Sequence, residues 1–174
     1  MSKEIIDFCN KHDAAKHGFN TLINELGCAS MQDLWMTADI DLLVWIATRP
    51  GVLSGGDLRI FSCFCVSQIW GLLTDIRSKN AVHVAEAYSV GKATEEELKA
   101  AAQDAILGDC VWKSEEPWAL AYNTATSLGS GEYVNIMPSW VAAKVRNLTD
   151  SAAHKKQAEY LRMAFVPSFK GGEK

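Results

Sequence analysis

Two cysteines two residues apart, Cys63 and Cys65, lie in the apolar run Leu58-Arg-Ile-Phe-Ser-Cys-Phe-Cys-Val-Ser-Gln-Ile-Trp-Gly-Leu-Leu-Thr-Asp75. Paired thiols are the chemistry of zinc ligation and of disulfide exchange. The residues around them argue for something else. Leu58, Phe61, Cys65, Ile69 and Leu72 recur at steps of three and four, the period of a helix buried along one face. On a helix, positions i and i+2 project about 200° apart, so two such thiolates cannot share one metal ion. Zinc sites use Cys-x-x-Cys or paired His and Cys, whereas Cys9, Cys28 and Cys110 each stand alone. The pair is read as small buried packing groups.

The other reactive side chains assemble no better. His12 and His17 are five apart, not the four of a His-Glu-x-x-His helix. His83 sits between two valines, and His154 precedes Lys155 and Lys156. There is no Gly-x-Ser-x-Gly elbow, P-loop or Gly-x-Gly-x-x-Gly turn. Ser54-Gly-Gly-Asp57 could hold an anion at a helix amino terminus, but it lacks a P-loop lysine and reads as a loop and cap. Glu95, Glu96 and Glu97 follow Thr94 as a capping box at the positive end of a helix dipole, which accounts for them without catalysis. No catalytic, cofactor or metal residue is assigned, and the chain is expected not to be an enzyme.

The elements that carry these residues are helical by their punctuation. Ser2 caps a first helix expected to run to about His17, before Gly18. Phe19–Leu26 is a short helix closed by Gly27, and Ser30 opens the next. Asp39 caps Ile40–Thr48, which Pro50-Gly51 ends. The helix opened by Ser54 is expected to continue to Leu73 and to be central. A helix to Val90 follows Asp75, with Ile76, Val84 and Tyr88 on its apolar face, and the helix opened by Thr94 stops at Gly108. Further helices start near Pro117 and at Pro138, a short strand fits Glu132-Tyr-Val-Asn-Ile136, and Pro167 halts a last helix over Asp150–Phe165. These signals predict one all-α domain over residues 1–169, of about seven to nine helices, with a flexible tail at 170–174.

Bulk properties narrow the classes. At 174 residues with 48% hydrophobic and 22% charged side chains, the chain can bury a core without disulfides or metals. Met1-Ser-Lys-Glu-Ile-Ile-Asp-Phe is not a signal peptide and no run is long enough to span a bilayer, so a cytoplasmic protein with free thiols is expected. The net charge of −4 opposes a dedicated nucleic-acid binder. The charge is also uneven: residues 1–138 carry 10 Lys and Arg against 18 Asp and Glu, and residues 139–174 carry 7 against 3.

That asymmetry and six tryptophans suggest partner-binding surfaces. The candidates are Trp112 and Trp118 with Glu115 and Glu116, and the cations Lys144, Arg146, Lys155, Lys156 and Arg162. If the last helix buries Tyr160, Leu161 and Ala164, then Lys155, Lys156 and Arg162 point mainly to solvent.

Several blocks recur in an order that is similar to an uncharacterised bacterial family, abundant in planctomycete-like genomes. They are Leu58-Arg-Ile-Phe-Ser-Cys-Phe-Cys, Ile69-Trp-Gly-Leu-Leu-Thr-Asp-Ile-Arg-Ser, Val84-Ala-Glu-Ala-Tyr, Ala93-Thr-Glu-Glu-Glu-Leu and Gln157-Ala-Glu-Tyr-Leu-Arg-Met-Ala-Phe. The family's corresponding segments read L-R-L-F-A-C-A-C, W-x-L-L-T-D-x-R-S, V-A-E-R-Y, A-T-E-E-E-L and Q-A-D-L-L-R-x-I-F. The resemblance covers roughly residues 40–169 and implies no activity. A short stand-alone version suggests an accessory protein of a phage or other mobile element.

The expected function is therefore a non-enzymatic, cofactor-free cytosolic protein that binds another protein. In its concrete form it is a phage-encoded inhibitor of a host nuclease or CRISPR-type defence complex, since acidic helical surfaces can occupy basic channels. One alternative is a nucleic-acid-binding regulator using the basic carboxy-terminal helices; another is an enzyme whose site is assembled from scattered residues. For the cysteine pair, replacing both Cys63 and Cys65 by Ala should lower stability by roughly 1–3 kcal/mol through lost packing. Urea unfolding checks the loss, and elemental analysis of the folded variant should show no change in metal content.

Overall fold

The computed structural model of the chain describes residues 1–108, 123, 133–149 and 152–169. Caps set most of its boundaries. The Ser2 hydroxyl accepts from the Ile5 amide to start α1 (Lys3–Lys11). Ser30 does the same for α3 (Met31–Thr37), and the Asp39 carboxylate accepts from the Leu42 amide at 2.9 Å for α4 (Ile40–Ala47). Ser54 and Asp57 form a full capping box at α5 (Gly55–Ser67). Thr94 and Glu97 exchange the same pair of bonds at α7 (Glu95–Gly108). Each cap satisfies amides that the first helical turn leaves without a carbonyl. With α2 (Asn20–Leu26), α6 (Ile76–Ser89), α8 (Tyr133–Leu148) and α9 (Ala152–Ala164), there are nine α-helices and no strand among the described residues. The protein is all-α, as expected.

Four boundaries differ from those expected, each for a local reason. The first helix ends at Lys11 rather than near His17, because Asp13 turns left-handed at φ 52°, a conformation a short polar side chain tolerates. The central helix ends at Ser67 rather than Leu73. There the chain tightens into i→i+3 bonds, Gln68 to Cys65 and Ile69 to Val66, and then a 3-10 turn over Trp70–Leu72. The expected strand at 132–136 is instead helical from Tyr133 onward, so Pro138 lies inside α8 and not at its start. Near the amino end a proline removes few helical bonds. The last helix ends at Ala164, one residue short of Phe165. The helix expected near Pro117 falls outside the described residues.

Packing follows from α5, whose Leu58, Phe61, Cys63, Cys65 and Val66 are buried. Burying side chains of the size of Leu or Phe is worth about 1.5–3 kcal/mol each. Two helices lie along α5: α6, as expected, and α8, which brings Val141, Ala142 and Val145 to the core. The first of these contacts depends on small residues. The core face of α6 is Ser78, Ala81, Val82 and Ala85, and α7 packs on α6 with Leu98, Ala102 and Ala105 buried. Ile76, expected on that face, is 75% exposed, while Val84 and Tyr88 are half-buried. The helix α4 packs chiefly on α9 and α8, and α9 reaches α4, α5 and α8.

Candidate functional site

The carboxy-terminal cations do not form one surface. Arg146 of α8 is almost wholly buried; it is ion-paired with Asp41 of α4 and donates to the side-chain oxygen of Gln157 on α9 at 3.1 Å. Gln157, fully buried, donates in turn to the Ala142 carbonyl. Arg162 corrects the expectation that it faces solvent. Its guanidinium is half-buried and donates to the Trp35 carbonyl at 3.1 Å and to the Ala38 carbonyl. Those carbonyls lie at the carboxy end of α3, where a cation both satisfies open acceptors and meets the negative end of the dipole. Lys155 and Lys156 are exposed, beside exposed His154, and Lys144 is half-buried. Trp112, Glu115, Glu116 and Trp118 lie outside the described residues.

A different set of residues converges at the corner between α5 and α6. Because α5 stops early, Trp70 stands on the 3-10 turn, half-buried, its ring inclined 63° to that of His83 with centroids 4.9 Å apart. Leu72 and Ile76 on either side of Asp75 are 49% and 75% exposed. Trp70 lines two open clefts. The outer one, about 520 Å³, runs past Ile76, Arg77, Lys79, Asn80 and His83. Lys79 Nζ sits 5.7 Å from the Trp70 ring centroid there, and Arg77 is paired with Asp75 at 2.7 Å.

The inner cleft, about 320 Å³, lies between α5, α6 and α9. The Phe64 and Tyr160 rings stack in parallel at 3.8 Å along one wall; Trp70, His83 and Glu86 also line it. Cys63 is at its floor, its thiol directed at the Val82 carbonyl. Burial, assisted by the negative charge of Glu86, pushes that thiol up to about 12. Cys65, wholly enclosed, is held well above the ordinary thiol range by burial. Neither thiol is a nucleophile at neutral pH. Burial, then Glu86, also raises the Tyr160 hydroxyl.

A third cleft, about 440 Å³, opens beside Trp45. Phe8, His17 and Phe19 surround that indole, and Arg49 lies over its ring at 5.2 Å. Its cations are already committed, Arg49 to the Trp45 carbonyl and the Thr48 hydroxyl, Arg146 to Asp41. Among the described residues no group of three His, Cys, Asp or Glu could hold a metal ion, and no helix is long and apolar enough to cross a membrane.

The corner escapes sequence periodicity because Trp70 and Ile76 read as core positions of two helices. The readable signal was Gly71 with Thr74-Asp75, a helix stop and a cap only three residues apart. Comparison with family models, curated proteins and solved structures returns no match.

The two kinds of cation should separate by stability. Arg162→Met should cost roughly 1–3 kcal/mol by stranding two carbonyls, and Lys155→Ala with Lys156→Ala should stay within about 0.5 kcal/mol of the parent. Urea titration monitored by circular dichroism checks both.

Proposed function

We propose that this chain is a small, non-enzymatic protein-binding module that docks through the α5–α6 corner. One observation carries the reading: half-buried Trp70 lines both open clefts and exposed Ile76 lines the outer one beside it, with exposed Leu72 two residues along the chain from Trp70. Trp anchors with an apolar surround and a rim of charge are the usual make-up of the energetic centre of an interface. Arg77, Lys79, His83 and Glu86 supply the rim.

The concrete form remains an accessory inhibitor, of the sort a phage encodes, acting on a basic nucleic-acid channel of a host nuclease or defence complex. The acidic excess of residues 1–138 supports it, since complementary charge accelerates encounter and disfavours wrong partners. The resemblance to an uncharacterised bacterial family over residues 40–169 stays part of this proposal and adds no activity to it. The nucleic-acid reading keeps His154, Lys155 and Lys156 as an exposed basic run, but two of its arginines serve the fold instead.

Co-purification with variants tests the proposal. The parent chain should retain a stoichiometric partner, and so should Lys155→Ala with Lys156→Ala. Trp70→Ala with Ile76→Asp should lose it while keeping the parent's helical circular dichroism. Loss through the lysine variant, or retention through the corner variant, would overturn the docking face.

A further inference from the structure

The inner cleft has a composition that goes beyond apolar docking. Three aromatic side chains line it, Phe64, Trp70 and Tyr160, and one carboxylate, Glu86, stands at its edge. Glu86 is exposed, and among the described residues no cation forms an ion pair with it. The two neighbouring bases are otherwise placed. Lys79 approaches Trp70 from the outer cleft and does not line the inner one. His83 packs its ring against Trp70. On the inside, Tyr160 and Phe64 stack with their planes parallel to within 1°, so the two rings line the cleft as one unit beside the carboxylate. Aromatic faces carry a negative quadrupole that attracts alkylated or guanidinium cations, and a nearby carboxylate adds a charge partner. The volume of about 320 Å³ is ample for one lysine or arginine side chain and lies at the low end of the range for ligand pockets.

We infer that the inner cleft is a cation-accepting pocket that takes a lysine or arginine side chain of the docked protein between the Phe64–Tyr160 pair, Trp70 and Glu86. This rests on the α5–α6 corner being the docking face and supplies its specificity. It also fits a partner whose exposed surface is basic, since Glu86 would replace the solvent or phosphate that such a side chain otherwise meets. Cys63 contributes only the floor: its thiol is enclosed and engaged with the Val82 carbonyl.

The pocket can be tested without the partner. Tetramethylammonium, guanidinium and the neutral isostere tert-butanol would each be titrated into the full chain, with the Trp70 indole proton–nitrogen signal read by NMR and assigned through Trp70→Phe. Saturable shifts are expected with the cations and much weaker ones with tert-butanol. Glu86→Gln should weaken cation binding by about threefold to tenfold and leave tert-butanol unaffected; Tyr160→Leu should weaken it independently. No saturable shift with either cation, or equal response to the neutral probe, overturns the inference. Failure here with the partner still lost on Trp70→Ala would remove the cation pocket and leave the docking face. Cation binding with the partner retained in that variant would do the reverse.

Discussion

The last helix is held to the rest of the molecule by side-chain polar bonds, and the candidate site depends on them. Gln157 joins α9 to the Ala142 carbonyl and to Arg146, which reaches on to Asp41, so α4, α8 and α9 meet in one network. One turn later Arg162 closes the carboxy end of α3. Side chains three and four positions apart share a helix face. Leu161, four beyond Gln157, goes to the core, whereas Ala164, expected to be buried with it, is exposed. Tyr160, three beyond Gln157, is thereby set against Phe64 of α5. A network of this kind, with Gln157 buried and Asp41 at its solvent-exposed end, is costly to break at Gln157, because the inner groups are left desolvated and unpaired. It therefore fixes the position of α9, and with it one wall of the inner cleft.

The opposite wall has a different origin. Small residues at positions 78, 81 and 85 give α6 a core face of little volume, beside α5 on one side and α7 on the other. The large aliphatic residue at the start of α6, Ile76, is then left outside. The tightened end of α5 does the same for Leu72 and lifts Trp70 to the rim. An exposed apolar corner thus results from the geometry of helix ends and not from a shortage of core. The charge of Glu86 reaches Cys63 and Tyr160 from this wall, which places it over the same cleft.

Much of the fold was legible in the residues. Ser2, Ser30, Asp39, Ser54 and Thr94 each announce a helix start, because a short oxygen-bearing side chain before an apolar period has a specific local partner. Helix geometry likewise separates Cys63 and Cys65 as sequence alone implies; their thiols face the Val82 carbonyl and the enclosed core. Interior features were less legible. Ser78 and Ala85 are weak hydrophobic signals, so large neighbours suggested another face of α6. Arg146 and Arg162 gave no sign of their role in the fold, because Asp41 lies 105 residues from Arg146 and the α3 carbonyls lie 124 or more from Arg162. Long-range polar pairing leaves no periodic mark, and the site was displaced with it, from the basic tail to the α5–α6 corner.

Hydrogen exchange measured on the chain alone and in its complex would test the docking face most directly. Partner binding should slow exchange of the amides from Ile69 to Glu86, with lesser protection around Tyr160, and leave the turn at His154–Lys156 unchanged. New protection centred on His154–Lys156, with the α5–α6 corner exchanging as in the free chain, would contradict the account.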